Sequence, residues 1–380
     1  MLLTEADGKA QFAAHGIAIP RAREIAQVEE ITEATLPGAG PWIVKAQLPA
    51  GGRGKAGFIR RVADAAAARD AAAAMLGTRL KGHTIETCLI EEAVAGQEHY
   101  LALMLDAASY GVRVIYLAAG GVEVEQAGQA LGILAAPEQD AIAAALATAT
   151  AGLDPAIAAP IRATGAAMAR LLLDRELMLV EVNPLFVSPR GAVAGDAKIV
   201  ADLSAVPRQP ALFRLIEARP NVYADANRKL AEGFDYVELD PDGTLGLVTT
   251  GAGLSMMLID ELARDGIRPL NFCDIRTGQF RGSPARLIRV LGWIAEHPSV
   301  RVVLVNIFAG ITDLGEFAAL LDQALAATPQ LRVPIVARLV GRGVDAARSL
   351  LTARRPDMCV TEDLTEALAA VRAIITKGAA

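Results

Sequence analysis

Aromatic residues and cysteines are both scarce in this sequence. Aromatic side chains account for 4% of the 380 residues, whereas hydrophobic residues as a whole account for 53%. The core must therefore be aliphatic, and a chain of this length can bury a sizeable core in two or three domains. The three cysteines, Cys88, Cys273 and Cys359, are far apart and odd in number. This spacing favours neither a disulfide framework nor a zinc site, and it suits a reducing compartment.

Long apolar runs and an excess of positive charge are also missing. The alanine-rich stretches are interrupted by Arg and Asp, and none reaches the roughly 20 apolar residues that a membrane span requires. The first 12 residues carry acidic side chains and lack the apolar segment of a signal peptide. The formal net charge of -6 argues against general nucleic-acid binding. We expect a cytoplasmic protein that binds any phosphate at a local site.

Histidine is rare, and no histidine forms a recognisable catalytic pattern. None lies beside Ser or Cys, and none is paired at the spacing of metal ligands. The four histidines are His15, His83, His99 and His297. We interpret them as ordinary core or surface residues, which speaks against a hydrolase with its own catalytic triad.

A glycine-rich stretch follows a short apolar segment that predicts a buried strand at residues 42–45. Residues 51–57 contain four glycines together with Arg53 and Lys55, and Lys45 ends the strand. Glycines let consecutive backbone N–H groups converge on a phosphate, and the cations would pair with it. No Ser or Thr follows Lys55, so this is not a Walker loop. The pattern predicts a phosphate site, and a flexible surface loop is the alternative.

Oxygen-bearing side chains occur at two further places. Glu91 and Glu98 flank a predicted strand–turn–strand, while Asn183 ends an apolar strand and Asp196 lies on the next one. Mg²⁺ prefers oxygen ligands and often takes only one or two from the protein, with phosphate oxygens supplying others. Asn183 and Asp196 could provide these ligands across a hairpin. A solvated hairpin with ordinary polar ends is the alternative interpretation.

The second half of the chain alternates apolar strands with helices, which predicts a parallel sheet covered on both faces. Ligands of such sheets bind beyond the carboxyl ends of the strands. Gly251, Ala309 and Gly341 each follow a predicted strand and are therefore expected near one crevice. Residues 203–233 contain several prolines and little apolar periodicity, so we interpret them as an extended linker.

Four motifs, in order and spacing, resemble the β subunit of succinate–CoA ligase, a family that includes malate–CoA ligase β subunits. The motifs are residues 45–57, Asn183-Pro184-Leu185, residues 251–254 and residues 305–310. The resemblance covers nearly the whole chain. It implies an α/β fold in which an N-terminal ATP-grasp domain (residues 1–225) precedes a flavodoxin-like, parallel-sheet CoA-ligase domain (residues 236–380).

The resemblance also implies a reaction and a set of site residues. Members are ADP-forming acid–CoA ligases that use ATP, Mg²⁺ and the co-substrate CoA. Phosphoryl passes through a histidine of a CoA-binding α subunit, in a heterodimer or heterotetramer, so no residue of this chain would be the nucleophile. The residues implied in ATP binding are Lys45, Gly52, Arg53, Gly54, Glu91, Val94 and Glu98. Those implied in metal binding are Asn183 and Asp196, and those implied in acid binding are Thr250, Gly310, Ile311 and Thr312.

Departures from the family pattern lie in the second half. Thr250 stands where the family has an Asn that contacts the acid, and Ala309 replaces a Gly, as it does in malate–CoA ligases. Arg276, Arg281 and Arg342 add guanidinium groups that can bind carboxylates with two hydrogen bonds. These changes favour a dicarboxylate related to succinate, or a substituted one, over plain succinate. Neutral drift of surface loops is the alternative.

Two other functions compete with this interpretation. One is an ATP-grasp carboxylate ligase that works alone, which would need no partner and would leave the second half unexplained. The other is a nucleotide-binding scaffold or regulatory subunit without catalysis. A scaffold would have no need of the whole set of phosphate- and metal-binding residues. Magnesium-dependent ATP binding that depends on Lys45 separates an enzyme from a scaffold.

Overall fold

The computed structural model describes residues 1–120, 132–280 and 282–377. The chain forms two compact units, Met1–Tyr223 and Ala224–Ala380. Each unit has its own hydrophobic core and combines helices with β-sheet, so the α/β class predicted from the sequence is confirmed.

Unit 1, Met1–Tyr223, is built mainly from antiparallel strands. Its described strands are β1 (Ala22–Ile25), β2 (Trp42–Gln47), β3 (Ile59–Val62), β4 (Arg79–Leu80), β5 (His83–Thr84), β6 (Thr87–Glu92), β7 (Gln97–Asp106), β8 (Gly111–Leu117), β9 (Ile133–Ala135), β10 (Leu177–Ser188), β11 (Gly191–Ala194) and β12 (Lys198–Ala201). Its described helices are α1 (Glu5–Ala14), α2 (Ala65–Ala73), α3 (Gln139–Ala149), α4 (Pro155–Asp174) and α5 (Pro210–Ala218). One sheet has the order β1-β6-β2-β3, a second has the order β11-β10-β7-β8-β9 with β12 also on β10, and β4 pairs with β5.

Helix α2 covers the first sheet with small side chains. Its Ala68 and Ala72 are fully buried against the sheet, where Val44 and Ala46 of β2 are buried as well. Because alanine lacks a long side chain, the helix backbone can approach the strands closely. Asp64 caps α2 by accepting a hydrogen bond from the backbone N–H of Ala67.

Helix α1 buries charged residues rather than an apolar face. Thr4 caps it by accepting from the N–H of Asp7. Glu5, Asp7 and Lys9 are all buried, alongside Phe12. Buried charges are stable only when they are paired. The helix is therefore held by ion pairs that belong to the site described below.

Strand β10 is longer than the sequence suggested. The predicted strand ended at Asn183, because Pro184 removes a hydrogen-bond donor. In the structure the strand continues to Ser188, and its register with β7 shifts between Val182 and Leu185. The shift inserts an extra residue, as in a β-bulge. Asn183 therefore lies within a strand and not at a hairpin end.

Helix α4 is the most apolar long helix among the described residues. By length and composition it could cross a membrane, yet half of its apolar window is buried inside the protein. It packs against β10, β7 and α3. Ile161, Met168 and Leu171 have no exposed surface. It is a core helix of unit 1.

Unit 2, Ala224–Ala380, contains the predicted alternation of strands and helices. Its described strands are β13 (Asp235–Glu238), β14 (Leu245–Thr249), β15 (Asn271–Asp274), β16 (Val302–Ala309), β17 (Ile335–Gly341) and β18 (Cys359–Thr361). Its described helices are α6 (Ala224–Glu232), α7 (Ala252–Arg264), α8 (Ala285–Ala295), α9 (Leu314–Ala327), α10 (Val344–Arg354) and α11 (Leu364–Lys377). The sheet order β14-β16-β17-β18 is parallel throughout, which confirms the predicted parallel sheet, while β13 and β15 form an antiparallel pair.

The predicted linker at residues 203–233 is wrong. Two helices, α5 and α6, occupy most of it. Pro210 marks the first turn of α5, where a missing N–H costs nothing and the fixed backbone angle favours the helix. Leu212 and Ile216, one turn apart, are buried. Pro210 therefore begins a helix here instead of preventing one.

Tyr223 fixes the start of α1 through a buried hydrogen-bond network. Its hydroxyl donates to Oδ2 of Asp7 at 2.5 Å and accepts from the N–H of Thr4 at 3.0 Å. Removing the hydroxyl leaves both groups short of a partner, so Tyr223→Phe should lower the free energy of unfolding by about 1–3 kcal/mol.

This loss is measurable by urea unfolding followed through Trp42 fluorescence, in a Trp293→Phe background that removes the chain's other tryptophan. Tyr110→Phe is the matched control, because Tyr110 is 91% exposed. Equal unfolding midpoints for the two phenylalanine variants would show that the network does not stabilise unit 1.

Candidate functional site

Lys45 lies near the centre of β2 with its side chain inside unit 1. Its Nζ is 2.7 Å from Oε1 of Glu5 and 2.8 Å from the carbonyl oxygen of Gly195, and it also contacts Oε1 of Glu91. Only 5% of the residue is exposed. The lysine predicted to bind phosphate is therefore a buried cation whose neighbours are two carboxylates.

A second buried lysine, Lys9, shares the same partners. Its Nζ is 2.8 Å from Oε1 of Glu5 and 3.0 Å from the Gly195 carbonyl, and it contacts Oε2 of Glu91. Glu91 is thus held by one lysine at each oxygen. Glu5 was missed by the sequence reasoning. The only local signal for it is the pair Glu5 and Lys9 at positions i and i+4 of α1, a spacing that brings side chains together.

Arg53 extends the cluster from the glycine loop. Its Nη2 is 2.8 Å from Oε2 of Glu5 and 3.4 Å from Oδ1 of Asp196, while its Nη1 donates to the carbonyl of Ala46 at 3.1 Å. The residue is 9% exposed. Because the guanidinium group is fixed on β2 through Ala46, the loop that carries it has a defined position beside the cluster.

The loop, the hairpin and α1 meet at one cleft in unit 1. Its lining residues are Leu2, Leu3, Glu5, Leu48, Ala50, Gly51, Gly52, Arg53, Gly54, Ile59, Glu181, Asn183, Asp196, Ala197 and Lys198. The predicted phosphate loop and the two predicted metal ligands therefore line the same space, although more than 120 residues separate them in sequence. Lys45 contacts Glu5, which lines the cleft, but Lys45 is not itself a lining residue.

The charges of this cluster shift one another's protonation. Burial alone would raise the pKa of Glu5, but Lys45 and the neighbouring cations hold it well below its usual range. Burial opposes the charge on Lys45, yet Glu5 and Glu91 raise its pKa above the ordinary value. Glu5 and Lys45 are therefore both charged near neutral pH.

Asp196 behaves in the opposite way. Its side chain is 33% exposed, yet desolvation in the cleft wall and repulsion from Glu5 raise its pKa, and Arg53 and Lys45 only partly offset this. A carboxylate in this situation is stabilised by any further cation. Asp196 and Asn183 offer the hard oxygen atoms that Mg²⁺ prefers. Within the described ranges, no three Asp, Glu, His or Cys side chains group as metal ligands.

Two of the predicted nucleotide contacts lie outside this cleft. Val94 is half-buried between β6 and β7, and Glu98 is an exposed residue of β7 opposite Phe186. Glu91 lies next to the cleft, but both of its oxygens are bound to lysines. The structure thus brings the glycine loop together with Asn183 and Asp196. Their predicted roles, like the role of Val94, Glu98 and Glu91 at the base or ribose, stay predictions.

In unit 2 the predicted acid-binding residues follow parallel strands at one edge of the sheet. Thr250 directly follows β14, and Gly310, Ile311 and Thr312 follow β16. The Thr312 hydroxyl donates to the hydroxyl of Thr277 at 3.1 Å. Ile311 is 92% exposed. The topology therefore places these loops at the carboxyl ends of neighbouring strands, where such sheets bind ligands.

Gly341, at the end of β17, lets this strand approach the end of β16 closely. It pairs with Ala309 across β16 and β17, with a φ of 144°. A Cβ at this position would lie 2.4 Å from the carbonyl oxygen of Ala309. Only glycine fits this approach, so the edge of the crevice depends on it.

The arginines predicted as donors for the acid are engaged elsewhere. Nη2 of Arg276 is 3.1 Å from Oδ2 of Asp235, and Nε of Arg342 is 3.5 Å from Oδ2 of Asp313. Arg281 lies outside the described residues. Arg276 and Arg342 therefore give less support to an altered acid than the sequence alone suggested, since each already has a carboxylate partner.

Comparisons with known proteins match a domain in each of the two units. A family described as ATP-grasp domain matches residues 2–187, and one described as CoA-ligase matches residues 248–374. Together the two domains define a nucleotide-dependent CoA ligase. The β subunit 2 of ADP-forming succinate–CoA ligase from Streptomyces coelicolor is 37% identical over 365 residues, covering 93% of this chain and 92% of the relative. The β subunit from Chloroflexus aurantiacus is 36% identical over 353 residues, covering 88% and 89%.

This chain belongs to the family of β subunits of ADP-forming succinate–CoA ligases. Among solved structures, ATP citrate lyase from Methanothrix soehngenii, in complex with citrate and coenzyme A, has a TM-score of 0.66 at 18% identity, with 95% of each chain covered. That likeness concerns the fold. The resemblance read from the four motifs is confirmed, as are the ATP-grasp and CoA-ligase domains in this order.

Proposed function

We propose that this chain is the nucleotide-binding β subunit of an acid–CoA ligase, which binds Mg-ATP in the cleft of unit 1. The observation that carries the proposal is the convergence of Gly52, Arg53 and Gly54 with Asn183 and Asp196 on one cleft. A glycine loop and a guanidinium group suit a polyphosphate, and the two oxygen ligands suit the metal that accompanies it.

Within this site each group has a task that its position supports. The loop N–H groups and Arg53 would bind and orient the phosphate chain, and the buried Lys45 would supply a positive charge beside it. Mg²⁺, held by Asn183 and Asp196, would neutralise charge on the phosphates. Phosphoryl transfer asks a protein mainly for positioning and charge neutralisation, so this set is sufficient without a nucleophile.

The nucleophile would then come from a partner. Among the described residues, no histidine lines the cleft. His99 is buried with its Nδ1 at 2.8 Å from the Tyr116 hydroxyl, and His297 is 3.5 Å from Glu238. We propose that a histidine of a CoA-binding α subunit takes the phosphoryl group, passes it to the acid, and that CoA then displaces phosphate. Relatives named as β subunits support such a partner.

The acid would bind at the loops after β14 and β16 of unit 2. We propose succinate, malate or a related dicarboxylate. Thr250 and Thr312 offer hydroxyl groups at that edge, and Thr277 fixes the second of them. The family supports a small dicarboxylate, and Thr250 in place of the family's Asn favours an acid other than plain succinate.

The test is a reconstitution. The chain is co-purified with an α subunit that has a phosphorylatable histidine, and acyl-CoA formation is measured over succinate, malate, citrate and monocarboxylates. We expect labelled phosphate from ATP on the α subunit, no acyl-CoA from this chain alone, and a higher kcat/KM for an acid other than succinate. A clear preference for succinate would disprove the altered specificity.

The competing functions give different results in the same experiment. Acyl phosphate formed by this chain without a partner would indicate a ligase that works alone. Nucleotide binding without any phosphoryl transfer to the partner would indicate a scaffold or regulatory subunit. A heterodimer and a heterotetramer differ in the mass of the purified complex.

A further inference from the structure

Glu5 is the one carboxylate among the described residues that contacts both Lys45 and Arg53. Its Oε1 is 2.7 Å from Nζ of Lys45, and its Oε2 is 2.8 Å from Nη2 of Arg53. The two oxygens of a single carboxylate thus hold the two cations that a polyphosphate would need. A phosphate group presents the same geometry of negatively charged oxygens to the same donors.

The position of Glu5 makes this competition direct. Glu5 lines the cleft together with the glycine loop, whereas Lys45 lies behind it with 5% of its surface exposed. A phosphate that enters the cleft therefore meets the Glu5 carboxylate before it meets Lys45. Nζ of Lys45 contacts Glu5, Glu91 and the Gly195 carbonyl, which engages its three N–H donors, so a bond to phosphate requires one of these contacts to be given up. Glu5 is the one of the three partners that lines the cleft.

The charges of the cluster cancel one another. Three cations face three carboxylates, and these are Lys9, Lys45 and Arg53 against Glu5, Glu91 and Asp196. A neutral cluster gives little net attraction to a polyphosphate at a distance. A polyphosphate is bound once Lys45 or Arg53 exchanges its contact with Glu5 for a contact with a phosphate oxygen, because each charge-assisted contact is short and directional.

The position of Glu5 does not depend on Lys45 and Arg53 alone. Two residues along α1, Asp7 accepts from the Tyr223 hydroxyl at 2.5 Å and forms an ion pair with Arg219 at 3.3 Å. Lys9 holds Glu5 from one turn further along the helix at 2.8 Å. Glu5 can therefore stay in place while Lys45 and Arg53 move away from it.

We propose that Glu5 is a positioning residue of the nucleotide site, which holds Lys45 and Arg53 in the absence of nucleotide and competes with the phosphate chain for them. This rests on the proposed function. Nucleotide binding exchanges the Lys45 and Arg53 contacts from the Glu5 carboxylate to phosphate oxygens, while Lys9 keeps Glu5 paired. No bond is made or broken covalently in this exchange.

The test compares the wild-type chain with Glu5→Gln by calorimetric titration. Glutamine keeps the shape of Glu5 and removes its charge, so the two cations become available. We expect ATP and ADP to bind about tenfold more tightly in the presence of Mg²⁺, the order of one charge-assisted contact. Adenosine, which has no phosphate, should gain nothing. Glu92→Gln is the matched control. It also removes one carboxylate, next to Glu91 in sequence, but the ion-pair partner of Glu92 is Arg21 at 3.9 Å and not a cation of the cluster.

A role of Glu5 in folding alone would not tighten binding. ATP affinity in Glu5→Gln that is unchanged or weaker, in a variant with a wild-type circular dichroism spectrum, would overturn the proposal. If wild type itself binds no ATP, the proposed function fails and not the role of Glu5 specifically.

A second measurement does not depend on the variant. In an experimental structure of the wild-type chain with Mg-ADP, Nζ of Lys45 should lie within hydrogen-bond distance of a phosphate oxygen and beyond that distance from Glu5. The starting separation is 2.7 Å. A Lys45–Glu5 contact that persists with the nucleotide bound would contradict the exchange, whatever the variant shows.

Discussion

Replacing Lys45 with methionine should weaken Mg-ATP binding by about 10- to 100-fold, the range expected for losing one charge-assisted contact to phosphate. The same change should destabilise unit 1. Glu5 and Glu91 are both about 2% exposed, and each would lose a buried cationic partner. Breaking a buried ion pair by removing one partner typically costs about 3–5 kcal/mol.

Binding and stability can be separated with a double variant. Lys45→Met combined with Glu5→Gln removes one positive and one negative charge, so it should recover part of the lost stability. Any recovery of nucleotide affinity can come only through Arg53, which Glu5→Gln also releases, so the double variant should still bind Mg-ATP more weakly than Glu5→Gln alone. Lys377→Met, at the exposed end of α11, controls for net charge. Wild-type ATP affinity in folded Lys45→Met would show that this lysine has no part in phosphate binding.

Asp196→Asn should remove most of the effect of magnesium on nucleotide binding. In wild type, Mg²⁺ should strengthen ATP binding, because Asp196 and Asn183 offer it oxygen ligands beside the phosphate loop. The raised pKa of Asp196 reflects desolvation and repulsion from Glu5, which a bound cation would relieve. Without this carboxylate, Mg-ATP affinity should fall by about 10- to 100-fold, and affinity for ATP in EDTA should change little.

Titrations with ATP in Mg²⁺ and in EDTA give this comparison directly. Asp140→Asn, an exposed residue in the first turn of α3, is the matched control for the loss of one charge. An Asp196→Asn variant whose ATP affinity still rises with Mg²⁺ as in wild type would place the metal elsewhere.

The sequence predicted the parts of the site that are local. Residues 42–45 have the apolar pattern of a buried strand, and the glycines at 51, 52, 54 and 57 fall in the loop that follows. Asn183 and Asp196 line one cleft, as expected across this hairpin, since β10 and β11 pair antiparallel. Asp196 was predicted on a strand, which is wrong: it lies in the connection between β11 and β12. Metal binding by the two residues stays a prediction.

Glu5 could not be predicted in the same way. Its partners Lys45 and Arg53 are far from it in sequence, and Gly195, which accepts from two lysines, is further still. A buried glutamate on α1 looks like an ordinary solvated residue until the sheet that carries Lys45 is placed beside it. Such pairing is a property of tertiary structure, and no local pattern contains it.

The errors in the predicted elements have a common cause. Pro184 was interpreted as the end of a strand, and Pro210 as part of the linker predicted at residues 203–233. Pro184 lies in the bulged part of β10, where no ladder hydrogen bond is required of it, and Pro210 begins α5. Proline removes one donor, and whether that donor is needed depends on strand pairing and helix position. The sequence alone does not contain the strand pairing and helix position that decide this.

The central claim is that the cleft beside Gly51–Gly54 binds a magnesium-bound polyphosphate. The most direct measurement is calorimetric titration of the wild-type chain with ATP in Mg²⁺, ATP in EDTA, and adenosine in Mg²⁺. We predict saturable binding of one ATP per chain that is strengthened by Mg²⁺ and far weaker for adenosine. No binding of ATP, or equal affinity for ATP and adenosine with no effect of Mg²⁺, would contradict the claim.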